Sequence, residues 1–363
     1  MSRRSELHKL VEKNPIVMTV GKKKKKVKVD NLRLCLPGIT YFNSSGSYLM
    51  DLKTRNGNQP GGFPGGKIVE FYGPKSSGKS TAAALCVAAA QRRGGFGIWI
   101  GPEGITDEHL TMAGVNYTDE DLFTYYECET LEGLFNLCNM AVFGLYEESR
   151  KSGLPVIIVA DSLSSLASYN NTMDVRQAGE SKSAALEAKT CHQAFRDSTL
   201  ARISGSGITM IFIRHQTESP RPYAGEKTTH GSSLDYHAWL RLRFKRTSMA
   251  EKQGIIPGYW LNCTCTKSKI GWDGWDHAIP WYRNSEPGVI DGGYSPGGEV
   301  FGHLLGNKVF KEVLNSSGNK TGRYTLDGNA SRYPGEWADV FNAGGDEANQ
   351  MWGLVLQTLG IPI

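Results

Sequence analysis

The sequence predicts an α/β fold, a mainly parallel central sheet with helices on both faces, and three observations carry that expectation. From Lys67 to about residue 270, short apolar runs alternate with longer helical stretches, the pattern of strands joined by crossover helices. A glycine-bounded loop, Gly73-Pro74-Lys75-Ser76-Ser77-Gly78-Lys79-Ser80, stands between one such run and the helical stretch after it. The last two strand candidates, 238–246 and 258–267, are separated only by a turn-like stretch, so an antiparallel edge is expected.

In chain order, residues 1–36 read as a short helix around Ser5 to Lys13, amphipathic through Leu7, Leu10 and Val11, and then a basic linker. This arm holds eleven Lys or Arg and three acids, a net charge of +8, while the rest of the chain sums to −3. Its run Lys22 to Lys26, with Lys28, is either an attractor of phosphate backbones or a solvated tail. Residues 37–66 are rich in Gly, Pro, Asn and Ser, a turn-heavy approach to the core. Strands are then expected at 67–73, 95–101, 122–128, 155–161 and 207–213, besides the final pair, and helices at 78–92, 105–113, 130–148 and 181–203. Beyond about 270 the composition turns to Gly, Asn and Trp, including Trp272, Trp275, Trp281, Trp337 and Trp352. The expected division is a 1–36 arm for oligomerisation, a 37–270 core and a small α+β C-terminal module at 271–363.

A chain of 363 residues, 39% hydrophobic and 21% charged, can hold one large core with small flanking modules. No apolar run approaches the roughly 18 to 20 residues that cross a bilayer, so no membrane partner is expected. The N-terminus has no apolar stretch of signal type, so a cytoplasmic location is expected, in a bacterium or a phage-infected host. The seven cysteines, at 35, 86, 128, 138, 191, 263 and 265, lack paired metal-ligand spacing and read as reduced, buried thiols.

The loop at 73–80 is a P-loop placed where its chemistry requires. Gly73 and Gly78 let backbone N–H groups turn onto phosphates at a helix N-terminus, assisted by Pro74, Ser76, Ser77 and Thr81 around them. Lys79 reaches the β and γ oxygens, and the Ser80 hydroxyl takes one position on Mg²⁺. ATP and Mg²⁺ are therefore the expected cofactors. Val156 to Ala160 form an apolar run ending in Asp161, the form of a second carboxylate facing the metal. Glu103, just past the run Gly97 to Gly101, is the best candidate to activate the attacking water.

Several segments together resemble the RecA family of recombinases. Lys67 to Ser80 is similar to the family's P-loop and its strand, and Gly101-Pro102-Glu103-Gly104-Ile105-Thr106 to the segment carrying its catalytic glutamate, above all in phage recombinases of the UvsX type. Val156 to Leu166, Thr209 to His215, Gly231 to Leu234 with Arg241 to Arg246, and Lys267 to Ile270 follow in the family's order. The resemblance spans about residues 60–290 and implies further roles. His215 would sense the γ-phosphate, Lys267 and Lys269 would reach a neighbouring subunit's ATP, and His109 would stack on adenine. Lys75 and Arg214 depart from the family pattern, which commonly has Glu and Asn there, and Gly101-Pro102 replaces a more polar pair.

The resemblance also implies two DNA-contacting loops, at about 167–182 and 216–231. Arg176 and Gln177 in the first, and Arg221, Tyr223 and Lys227 in the second, suit phosphates and bases. The second loop begins directly after His215, so nucleotide and DNA are one covalent step apart. The expected activity is that of a DNA-dependent ATPase. It would form helical homo-oligomeric filaments on single-stranded DNA and exchange strands with a homologous duplex, with single-strand-binding and mediator proteins as partners. A ring-forming replicative helicase on the same core is the enzyme alternative, and a non-catalytic ATP-binding recombination accessory protein the other. The C-terminal module is either a duplex-capturing unit or an ordinary packing domain.

Overall fold

The computed structural model describes residues 17–20, 23–26, 39, 41–55, 61–168, 180–197, 203–217, 227–228, 233–249, 258–283, 293–326, 331–359 and 361. The chain divides into two units, Met1–Ile39 and Thr40–Ile363. In the first, β1 (Val17–Val20) and β2 (Lys23–Lys26) pair antiparallel, Val17 opposite Lys26. Part of the run read as a basic linker is thus a strand, because the β-prone Val-Met-Thr-Val segment supplies it with a partner. The helix expected around Ser5 to Lys13 lies outside the described residues.

The second unit opens with β3 (Phe42–Asn43), α1 (Tyr48–Thr54) and β4 (Phe63–Pro64). Helix α1 falls in the stretch expected to be only turns. Ser47 caps it by accepting from the Met50 N–H, and Leu49 and Met50 are buried, so one cap and two apolar side chains outweigh the surrounding Gly, Asn and Ser. The main sheet is built from β5 (Lys67–Gly73), β6 (Phe96–Gly101), β7 (Phe123–Glu127), β8 (Val156–Ala160), β9 (Ile208–Thr217), β10 (Lys227–Thr228), β11 (Leu240–Ser248), β12 (Gly258–Ser268), β13 (Asp276–Tyr282) and β14 (Gly293–Tyr294). Its order is β14-β13-β12-β11-β5-β9-β8-β6-β7, with β10 paired to β9 off that path. The pairs from β11 through β5, β9, β8 and β6 to β7 are parallel, and β12, β13 and β14 extend the sheet antiparallel. The predicted mixture of parallel centre and antiparallel edge is what forms.

Alternate strand residues divide between the two faces. Ile68, Ile98, Ile158, Met210 and Phe212 join a core with Leu134, Phe135 and Cys138 of α4 (Leu131–Ser152) and Cys191 and Phe195 of α5 (Glu180–Asp197). Helix α2 (Lys79–Gln91) is buried almost all round and packs against β6 and β8. Its alanines allow this close seat, and a Cβ on Gly97 of β6 would lie 2.4 Å from Val87. Helix α3 (Asp107–Ala113) starts at the Thr106 cap and packs on α2.

The sequence-based division at residue 270 falls inside this sheet, which continues through β13 and β14. A second core begins with α7 (Pro296–Gly306) and includes the hairpin of β15 (Lys311–Leu314) and β16 (Lys320–Thr325), α8 (Pro334–Ala343) and α9 (Asp346–Thr358). Here the tryptophans part company. Trp337 is the buried centre of this second core, Trp281 is buried in β13, and Trp272 is exposed on the β12–β13 connection. Buried Glu299 of α7 accepts from Ser47 and from Tyr294 (2.6 Å) and pairs with His277 (2.6 Å), tying the second core to α1 and the sheet edge. Among the described residues no helix is long and apolar enough to cross a membrane.

Candidate active site

Strand β5 delivers the chain to the P-loop at the C-terminal edge of the parallel strands. Ser76 and Gly78 take positive φ, 59° and 91°, and a Cβ on Gly78 would lie 2.3 Å from Leu261 of β12. Only glycine satisfies both conditions there. Gly78 is the N-cap of α2 and offers no side chain, so the first-turn N–H groups face outward, ready for an anion. Lys79 is buried, and among the described residues its ammonium donates to neutral groups only, Pro74 O at 2.7 Å, Gly73 O at 3.2 Å and Ser77 Oγ at 3.2 Å. Burial holds its pKa down to about 8.

Ser80 Oγ donates to Asp161 Oδ2 at 2.7 Å. Asp161 follows β8 directly and is 5% exposed, and burial pushes its carboxyl up to about 6, with Ser80 and Lys79 opposing. A buried carboxyl beside a hydroxyl is a hard-oxygen pair that suits Mg²⁺, which keeps most of its water and phosphate ligands. Among the described residues no group of three or more His, Cys, Asp or Glu could hold a metal, so a metal here would rest on these two oxygens and on its substrate.

Glu103 lies just beyond β6. A Cβ on Gly101 would lie 1.7 Å from the Asp161 carbonyl oxygen, so the glycine that departs from the expected polar pair is what lets β6 close on the end of β8. Ser165, in the 3-10 turn Leu163–Ser165, donates to Glu103 Oε1, and its neighbour Ser164 accepts from the His215 N–H at 2.7 Å. His215 Nε2 stands 3.9 Å from Glu103 Oε1, while its buried Nδ1 has no hydrogen-bond partner. Burial and then the Lys79 charge hold the His215 pKa below its ordinary value, which favours the neutral ring.

Lys79, Ser80, Glu103, Asp161 and His215 line one cleft of about 260 Å³ that also includes His109, Arg246 and Tyr259. His109 Nε2 meets Thr81 Oγ1 at 2.6 Å, and its ring stacks on Trp281 at 5.5 Å between centroids. The cleft therefore gathers Lys79, Ser80, Thr81, Glu103, His109, Asp161 and His215, all singled out in the sequence. Arg246 and Tyr259 also line it, while Ser164 and Ser165 hold His215 and Glu103 from outside the lining; none of the four was singled out as a site residue. The two serines had a signal in their place directly after the strand ending in Asp161, and Arg246 closes the Arg241 to Arg246 segment of the family resemblance, whereas Tyr259 belongs to no motif. A larger cavity of about 780 Å³, between β12, β13 and α7, holds none of the motif residues.

Beneath the cleft lies a buried charge cluster. Glu70, in the middle of β5, accepts from Arg214 Nε at 2.6 Å and from Arg241, and Asp235 pairs with Arg214 at 2.6 Å and Arg241 at 3.0 Å. Arg214, where the family resemblance led to Asn, answers this acid. Asp235 belongs to α6 (Ser233–His237), so the cluster joins the strand bearing His215 to the chain that re-enters after residue 232.

Lys267 and Lys269 do not enter the cleft. Lys267 donates to Asp235 O, and Lys269 donates to Tyr236 O at 3.0 Å. Of the proposed DNA contacts, Arg176, Gln177, Arg221 and Tyr223 lie outside the described residues. Lys227 is placed by its backbone in β10, opposite Thr217.

Residues 13–273 match the family model described as the RecA N-terminal domain. The chain is 31% identical to Protein RecA of Frankia casuarinae over 83% of its own length and 80% of the relative's. Protein RecA of Amycolatopsis mediterranei is 30% identical over 83% and 79%, and that of Desulforapulum autotrophicum 30% over 83% and 80%.

Proposed function

The chain belongs to the RecA family, and from that premise we propose that it is a DNA-dependent ATPase that forms helical filaments on single-stranded DNA and carries out homologous pairing and strand exchange. The observation that carries this reading is that Lys267 and Lys269 stand apart from the cleft that gathers the P-loop, Asp161, Glu103 and His215. We read the cleft as one half of a site and the two lysines as the other half, since they sit too far from their own P-loop to complete it. Lys267 is opposite Arg241, which is opposite Glu70, three residues short of Gly73 and two strands away. That is about 10 Å along the sheet and about 10 Å across it, with both ammoniums turned to the carbonyls of α6. In this reading the two lysines serve a neighbour's nucleotide, which makes ATP part of a joint between subunits.

Within a subunit, Lys79 and the N–H groups of α2 bind the phosphates, and Ser80 with Asp161 would hold a metal ion, which would supply neutralising charge to the phosphates. Glu103 orients the attacking water and accepts its proton, positioned by Ser165. His215, whose Nε2 stands beside Glu103, offers that nitrogen to the γ-phosphate. A shift of His215 then pulls on β9, which leads into the proposed DNA loop.

Exposed surface supports assembly as well. Strand β7 pairs only with β6 among the described residues, an open edge that another chain can extend, and Met140 and Phe143 of α4 are 69% and 80% exposed. The deciding experiment is electron microscopy with ATP and single-stranded DNA. Helical filaments are expected; closed rings would move the reading to a helicase. Glu103→Gln should keep nucleotide affinity, slow hydrolysis by about 10²-fold or more and leave filaments that persist on DNA. Fast filament turnover in that variant would remove Glu103 from its role.

A further inference from the structure

Strand β5 divides the cleft into two sides. On one, β9, β8 and β6 lead to His215, Asp161 and Glu103, the groups of the reacting end. On the other, β11, β12 and β13 carry Arg246, Tyr259 and Trp281. A triphosphate whose γ end lies with Glu103 and His215, and whose middle lies on Lys79, must direct its nucleoside toward this second side.

The second side is built as a wall. Arg246 is opposite Leu261 and Tyr259 opposite Ser248, so Arg246 and Tyr259 are diagonal neighbours on one face of the hairpin. The Arg246 guanidinium lies 5.0 Å from the centroid of the Tyr259 ring, a cation–π contact that holds both side chains in place. Tyr259 is also opposite Trp281 in the next strand, and Trp281 stacks on His109, which holds Thr81 at the foot of the P-loop helix. The contact of Leu261 with the Gly78 backbone sets the whole hairpin against the P-loop.

We infer that Arg246 and Tyr259 form the nucleoside-side wall of the ATP site. Tyr259 packs on the sugar and base of a nucleoside triphosphate, and Arg246 neutralises its α-phosphate. The inference rests on the ATP-hydrolysing reading above, and it assigns affinity to two residues outside every nucleotide motif of the sequence. Contacts this far from the γ-phosphate are made equally in the ground and transition states, so their loss raises KM and spares kcat.

The test compares wild type with Tyr259→Ala, Arg246→Ala and Tyr259→Phe. ATP is titrated in DNA-stimulated hydrolysis, and the binding of fluorescent ADP and of inorganic tripolyphosphate is measured without DNA. Both alanine variants should raise KM for ATP and Kd for ADP about tenfold, with kcat within about twofold. Tyr259→Ala should spare tripolyphosphate binding, because that ligand has no nucleoside, whereas Arg246→Ala should weaken it. Tyr259→Phe should restore most of the affinity lost in Tyr259→Ala. Unchanged ADP affinity in both alanine variants overturns the inference, as does equal weakening of ADP and tripolyphosphate in Tyr259→Ala. Weaker DNA binding with normal ADP binding in Arg246→Ala would make that residue a DNA contact instead. A wild type that hydrolyses no ATP sinks the proposed function, while the ADP and tripolyphosphate measurements still decide this wall.

Discussion

Lys79→Ala should abolish measurable ATP hydrolysis, a loss of at least about 10²–10³-fold, while leaving the protein folded. The loss follows from position. The ammonium is buried at the start of α2 among neutral oxygens of Gly73, Pro74 and Ser77, where little water screens it from a phosphate. Removing a preorganised charge or donor from such a site costs about 10²–10³ in rate. Folding is spared for the same reason. Burial already disfavours the charged form of Lys79, and its hydrogen-bond partners are a hydroxyl and carbonyls, so truncation breaks no hydrogen-bonded ion pair; buried Asp161 loses a favourable neighbouring charge but keeps its hydrogen bond from Ser80. Thermal melting of the nucleotide-free protein should match wild type or exceed it slightly, and single-stranded DNA should no longer stimulate phosphate release. Residual DNA-stimulated turnover within tenfold of wild type would show that the P-loop lysine is not the principal phosphate contact.

Glu70→Ala should have the largest effect on stability. Glu70 is fully buried in the central strand and is the shared acceptor of Arg214 and Arg241. With Asp235 the four charges sum to zero, and deleting Glu70 leaves two guanidinium groups facing one partly exposed carboxylate. Breaking a buried ion pair from one side costs about 3–5 kcal/mol, which in a unit of this size lowers the melting midpoint by roughly 5 °C. Glu70→Gln keeps the shape and one acceptor and should fall between. Circular dichroism melts of the three proteins are the measurement, and a Glu70→Ala midpoint within about 2 °C of wild type would mean that water or relaxation replaces the lost partner.

The parts of this molecule that were legible in the sequence are those encoded locally. A strand, a glycine-bounded loop and a helix in succession identify the P-loop without knowledge of anything distant. Apolar runs ending at Asp161 and shortly before Glu103 announced two acids at strand ends, and the sheet brings both to Ser80 and Ser165. What was not legible depends on register. Glu70 looks like an error in an apolar strand until β9 and β11 bring Arg214 and Arg241 beside it. Tyr259 becomes part of the cleft only through pairings with Ser248 and Trp281, neither fixed by a motif. His109 was singled out for its place after Glu103, but its contacts with Thr81 and Trp281 needed the packing of α3 on α2. The helix at Tyr48–Thr54 was hidden because one cap and two apolar residues are a faint signal in a Gly-rich stretch.

The antiparallel rungs between β9 and β10 have a mechanical consequence. Thr217 pairs with Lys227 and Gln216 with Thr228, and a little further on Asp235 is bound to the same strand through Arg214. The stretch from 218 to 226 thus leaves and returns at fixed points, with its far anchor already balanced by the core's own charges. A displacement of β9 at His215 is therefore shared by both ends of that connection, the near end through the ladder and the far end through Arg214 and Asp235.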